Sequence, residues 1–268
     1  MRRRLLAAIP LALLVACGST PPPPAPTTSQ VKGELAVLAE RIAQRRAELK
    51  TARFHTDGFA SDGGATEVRN TADGAISQTA DGVLGAFTMG VDTGGAARKI
   101  DLVVLKDALY AHLDGAAMPA GKKWAQYTEA NAGEISGLLR GFGPSSMAGA
   151  ELDYLEPTAA LVLRKASEQL DGTPVTRYDI AVDTVKIAKL LDDPDIQLQH
   201  TQLAEYGVTI TAFAWVDDTG LPLKAEYRFE QDGKVVKSST TRFTDWGTPV
   251  DVAAPPTAET VPADQLPE

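Results

Sequence analysis

Residues 207–243 read GVTITAFAWVDDTGLPLKAEYRFEQDGKVVKSSTTRF, and this stretch decides the fold. It divides at Asp218-Thr219-Gly220 and at Asp232-Gly233, where glycine accepts the left-handed backbone that a tight hairpin demands. Between the turns the side chains alternate in character. Leu223, Ala225, Tyr227 and Phe229 take turns with Lys224, Glu226, Arg228 and Glu230, so one face of the strand meets a core and the other meets water. Three antiparallel strands are predicted, over 207–216, 221–230 and 234–243.

Outward from this core the same grammar repeats. Residues 166–170 and 175–182 read as a hairpin about Asp171-Gly172, and Asp183 reads as the N-cap of a helix through Leu191. Near the start, Leu35, Leu38, Ile42 and Leu49 follow three- and four-residue steps, predicting an amphipathic helix over 31–50. Period-two segments follow at 52–60, 65–71, 75–79, 83–91, 99–105, 108–113 and 123–127. Asp57-Gly58, Asp62-Gly63-Gly64, Asp73-Gly74, Asp81-Gly82 and Gly94-Gly95 are read as their turns. Residues 130–166 return to helical spacing, with Ile135, Leu138, Leu139 and Phe142 on one face and Leu152, Leu155, Leu161, Val162 and Leu163 further on. The expectation is a single α+β domain over 31–252: a curved antiparallel sheet, wet on its convex side, with helices gathered on the concave side.

The two ends carry different information. Residues 1–16 combine Arg2, Arg3 and Arg4 with an apolar run too short to cross a bilayer as a helix, the layout of an export signal. Leu14-Val15-Ala16-Cys17 resembles the bacterial lipobox, which implies cleavage before Cys17, acylation of its thiol and anchorage to the outer, extracytoplasmic face of the cell membrane. Cys17 is the chain's single cysteine, so no disulfide supports the fold. Residues 17–30, with four consecutive prolines at 21–24, read as an extended spacer, and residues 253–268 as a disordered tail. The formal net charge of −9 argues against nucleic acid as a partner.

The apolar side of the strands is rich in small residues: Gly85 beside Phe87 and Met89, Ala111 beside Leu109, Ala212 and Ala214 beside Ile210, and Ala225 beside Tyr227. Such a wall either lets the covering helices sit closer or leaves a cavity. If a cavity forms, strand alternation and helix periodicity nominate Phe87, Met89, Leu102, Val104, Leu138, Leu139, Phe142, Leu161, Ile180, Ile210, Ala212, Tyr227 and Phe229 as its lining.

A resemblance extends this reading. The lipobox, the spacer and the opening helix are followed by Leu109-Tyr110-Ala111-His112-Leu113 and Lys123-Trp124. Then come Asp171-Gly172-Thr173-Pro174-Val175-Thr176-Arg177-Tyr178, Val182-Asp183, and Phe243-Thr244-Asp245-Trp246-Gly247-Thr248-Pro249-Val250. In that order they resemble the LppX/LprG family of actinobacterial envelope lipoproteins, itself similar in fold to LolA and LolB. The resemblance implies a half-open β-barrel closed by helices around an apolar pocket that receives acyl chains of envelope lipids or lipoglycans and carries them across the envelope. An envelope transporter enters as an expected second partner. The alternative is a tethered interaction module whose interior is fully packed.

Sharper chemistry finds little footing. His55, His112 and His200 lack ligand spacing, and Asp192-Asp193-Pro194-Asp195 reads as a helix exit, without the glycine and distal glutamate of a calcium loop. No Gly-x-Ser-x-Gly elbow or phosphate loop is present. The expectation is therefore a binding protein without catalytic residues, resident metal or cofactor, with Trp124, Trp215 and Trp246 as core or rim packing.

Overall fold

The computed structural model describes residues 28–61, 67–79, 82–95, 97–113, 115, 117–128, 130–131, 150–190 and 194–267. The signal, Cys17, most of the spacer, and Leu138, Leu139 and Phe142 lie outside the described residues.

Helix α1 (Thr28–Leu49) leads into β1 (Thr51–Ser61), β2 (Glu67–Thr79), β3 (Gly82–Asp92), β4 (Arg98–Val104), β5 (Leu109–Leu113) and β6 (Trp124–Tyr127). A 3-10 turn (Ala150–Tyr154) precedes β7 (Ala160–Leu170) and β8 (Thr173–Val182). Helices α2 (Thr184–Ala188) and α3 (Pro194–Glu205) then lead to β9 (Thr209–Val216), β10 (Pro222–Gln231), β11 (Lys234–Thr244) and a short β12 (Thr260–Pro262). Among the described residues no helix is long and apolar enough to cross a membrane.

All twelve strands form one sheet in the order β12-β6-β5-β4-β3-β2-β1-β11-β10-β9-β8-β7. Two meanders, β1 to β6 and β7 to β11, are joined where β1 pairs antiparallel with β11, for example Phe54 opposite Phe243. Since β12 and β7 remain edges, the sheet curves without closing, and the α+β half-open barrel expected from the sequence is the architecture observed. Strands β6 and β7 lie at or next to opposite edges of the sheet.

The C-terminal three-strand meander and its turns match expectation. Asp171 and Gly172 have φ of 50° and 84°, and Asp232 and Gly233 have 51° and 74°, the left-handed pairs of tight hairpins. Asp217 Oδ1 accepts from the backbone N–H groups of Thr219 and Leu221, pinning the third turn. Asp183 caps α2 by accepting from the Lys186 N–H at 3.1 Å.

Several expectations are corrected. Asp57-Gly58 and Asp73-Gly74 lie within β1 and β2 and are not turns. A Cβ on Gly74 would stand 2.3 Å from Phe87 Cβ, so glycine is there because a neighbouring strand approaches closely. Residues 160–166, expected to be helical, open β7: Ala160 and Val162 pair with Val182 and Ile180 and are buried, the period-two pattern of a strand. Helix α2 stops at Ala188, and Pro194 begins α3; a proline at the first helical position, where no N–H bond is needed, marks an entry where an exit was expected. Residues 253–267 are not a free tail, because β12 pairs in parallel with β6 and buries Val261.

The convex face also departs from simple wetting. Val175, Phe213 and Trp215 form an apolar cluster there, roofed by cations: Lys224 Nζ stands 3.9 Å from the Trp215 ring centre, and the Arg177 and Arg228 guanidinium groups lie 5.0 and 4.9 Å from that of Phe213. Trp215 Nε1 donates to Glu168 at 2.9 Å. His55 and His112 also face outward, bound to Asp73 at 2.6 Å and Asp101 at 3.3 Å.

Candidate functional site: the concave face

The concave face has a closed part and an open part. At the closed end Glu34 pairs with Lys165 of β7, and Arg41 donates to the Asp218 carbonyl in the β9–β10 turn, so α1 lies across the ends of these strands. Leu35, Leu38 and Ile42 join Leu152, Leu155, Ile180, Ile210, Ala212, Ala214 and Ala225 in one buried cluster. Here the small residues let the helix come close, the first of the two outcomes the alanine-rich wall allowed. A side cleft of 180 Å³ remains between α1 and the 3-10 turn, lined in part by Arg46 and Asp153. Crowding there pushes the Asp153 carboxyl up to about 7, against the pull of Arg46.

The middle is held by a polar knot on an otherwise apolar floor. Glu151 Oε1 accepts from Ser239 Oγ at 2.7 Å and from Thr241 Oγ1 at 2.8 Å, all three residues being buried. Thr241 has a single hydroxyl proton and donates it to Glu151, so the 2.7 Å contact with Thr56 is one in which Thr56 donates. This knot ties the 3-10 turn to β11 and β1, and thereby fixes Tyr154.

Beyond Tyr154 the floor opens into a cleft of 360 Å³ between α3 and the far ends of β1, β10 and β11. Its walls are Ala60, Tyr154, Leu203, Tyr206, Phe229 and Val236, with Ser61, Gln199, His200, Gln202 and Lys237 supplying polar atoms. Aromatic edges build the inner wall: Tyr154 meets Tyr227 edge-on at 5.5 Å and Phe229 at 6.2 Å. The Tyr154 hydroxyl and His200 Nε2 are 3.2 Å apart, tying the turn to α3. Burial raises the Tyr154 phenol far above its ordinary value, so it stays neutral. The volume is at the small end of the roughly 300–1,000 Å³ usual for small-molecule sites.

The nominated residues that the structure describes, all but Leu138, Leu139 and Phe142, fall into four groups. Phe229 lines the cleft and Tyr227 backs it. Ile180, Ile210 and Ala212 belong to the closed core, where nothing can enter without displacing α1 or the turn. Phe87, Met89, Leu102 and Val104 form a separate apolar patch with Leu109 and Ala111 on β3 to β5, and Phe87 links it to the main core through an edge contact with Phe54 at 5.9 Å. Leu161 stands opposite Ala181, on the face away from the buried Val162–Ile180 pair, and so is not part of a concave lining. Tyr154, Leu203, Tyr206 and Lys237 were not nominated, and three of the four come from segments that show no strand alternation.

No protein-family model matches this sequence, and no curated protein matches it. Among solved structures, the chain is similar to LprF from Mycobacterium bovis, with 11% identity, a TM-score of 0.47 and coverage of 83% of this chain and 97% of that one. It is also similar to a DUF1329 family protein from Desulfovibrio piger, with 10% identity, a TM-score of 0.31 and coverage of 82% and 95%. A LolA superfamily protein from Nitrosomonas europaea shows 11% identity, a TM-score of 0.28 and coverage of 79% and 91%.

Proposed function

We propose that this chain is an exported lipoprotein, acylated at Cys17 and held on the outer face of the cell membrane, that binds acyl chains of envelope lipids or lipoglycans on its concave face and carries them across the envelope. The observation that carries the reading is the 360 Å³ cleft, with its aromatic and aliphatic wall, left open at the end of an unclosed sheet. Each methylene placed there recovers about 0.8 kcal/mol relative to water, close to what the bilayer returns, so exchange between membrane and protein is nearly neutral. Direction then comes from a gradient or from an envelope transporter as partner.

The test is native and denaturing mass spectrometry of the chain purified from a bacterial host, with organic extraction of anything bound. Stoichiometric co-purified lipid, lost when Leu203→Trp fills the cleft, is the expected result. Ala212→Trp is a poor blocking variant because Ala212 is fully buried in the closed core. Bare polypeptide that also ignores added diacyl lipids would favour the tethered interaction module, whose contact surface would include the exposed Leu198 and Tyr206 of α3 and its exit.

A further inference from the structure

Lys237 lies on the inward row of β11, between Phe229 of β10 and Ala60 of β1. A lysine on an apolar wall ordinarily runs its stem along the surface and delivers the ammonium to water or to a carboxylate. This one keeps an exposed side chain but leans over aromatic rings: its Nζ stands 5.3 Å from the Phe229 ring centre and 5.7 Å from that of Tyr227. The side chain is open to the cleft, yet protein crowds the ammonium enough to lower its pKa from the usual lysine value. Several other cations of the sheet are paired with carboxylates, Lys165 with Glu34, Arg177 with Asp179 and Arg228 with Glu226. Among the described residues no carboxylate pairs with Lys237. In a chain with a net charge of −9, an exposed cation in the wall of an apolar cleft, without a carboxylate partner, stands ready for an anion.

We propose that Lys237 receives the anionic, phosphate-bearing headgroup of a diacyl lipid whose chains enter the cleft, with the Gln199 and Gln202 amides of α3 as neutral donors at the rim. The inference rests on the carrier reading and narrows it to acidic lipids. A phosphate near Nζ gains from the reduced water around it, since the same charge pair is weaker in bulk solvent. Lysine suits this task as a point charge that accepts phosphate from several directions. The apolar wall selects for the attached chains, which separates a lipid headgroup from free phosphate.

The experiment measures binding of dioctanoyl phosphatidylglycerol, dioctanoylglycerol and glycerol 3-phosphate to the full chain by titration calorimetry. Lys237→Met and Lys237→Arg are run beside the parent, with circular dichroism confirming that each is folded. The parent should bind the phospholipid at least about tenfold more tightly than the neutral diacylglycerol, a preference that shrinks in high salt. Lys237→Met should erase that preference by weakening phospholipid binding far more than diacylglycerol binding, and Lys237→Arg should keep it. Equal binding of phospholipid and diacylglycerol by the parent, or a Lys237→Met loss shared by both, would overturn the headgroup assignment and leave the carrier reading standing. Glycerol 3-phosphate bound as tightly as the phospholipid would overturn the lipid source. If neither diacyl compound binds, both readings fall.

Discussion

Replacing Thr241 by valine tests how the cleft is held open. The two side chains have nearly the same shape, so the packing around Thr241, which has no exposed surface, is kept. What disappears is the hydroxyl that donates to Glu151 Oε1 at 2.8 Å and accepts from Thr56 at 2.7 Å. Glu151 is itself buried and keeps the Ser239 hydroxyl, so it is weakened and not orphaned, whereas Thr56 loses its acceptor. A buried hydrogen bond to a carboxyl group, together with the desolvation left behind, is worth about 2 kcal/mol. For a folded unit of this size that amounts to roughly 4–8 °C in the melting midpoint. The assay is urea unfolding followed by far-ultraviolet circular dichroism, with Thr241→Ser as the control that keeps the hydroxyl and loses only a methyl group. Thr241→Val should lower the midpoint with little change in the slope. Because Glu151 anchors the turn that carries Tyr154, the same variant should also weaken acyl-chain binding below its own unfolding range. A loss under about 0.5 kcal/mol for Thr241→Val, or an equal loss for Thr241→Ser, would refute the claim that the hydroxyl knot supports the turn.

Gly74→Ala should cost about 1–3 kcal/mol or more, read from the same unfolding curves, because its Cβ would sit 2.3 Å from both Phe87 Cβ and the Ala86 carbonyl oxygen, forcing β2 and β3 apart. Asp153 is a carboxyl whose folded pKa, about 7, lies above its ordinary 3.8; folding therefore takes up a proton between these values, and the stability this gives is full below about pH 4 and lost as pH rises through 7. Because the Asp153 side chain is exposed and screened by water, Asp153→Asn should gain only slightly in melting midpoint over the parent at pH 8 and show no gain at pH 4, as thermal scans at the two pH values would reveal. Asp183→Ala removes the side-chain acceptor of the Lys186 N–H and should cost about 1 kcal/mol by denaturant titration.

The sequence by itself determined the parts of the fold that rest on local rules. The alternation in 221–230, the left-handed pairs at Asp171-Gly172 and Asp232-Gly233 and the Asp183 cap are each specified by a few neighbouring residues, and the structure shows all of them. The apolar stripe of α1 was equally legible, because Leu35, Leu38 and Ile42 need only helical periodicity to share a face. Gly74 shows where this stops: a turn and a close inter-strand approach call for the same residue, and only the position of Phe87 on the next strand tells them apart. The inward row of β11 was hidden for a related reason. Lys237, Ser239 and Thr241 look like the wet side of a strand, but Ser239 and Thr241 are buried by Glu151, which arrives from some 90 residues away, and only Lys237 stays exposed, in the cleft. The cleft is likewise made by a pairing that leaves no local trace, in which β1 meets β11 and a 3-10 turn and α3 meet over them. Periodicity gives each strand two faces, and the tertiary contacts alone decide how far each face is covered and where a space remains.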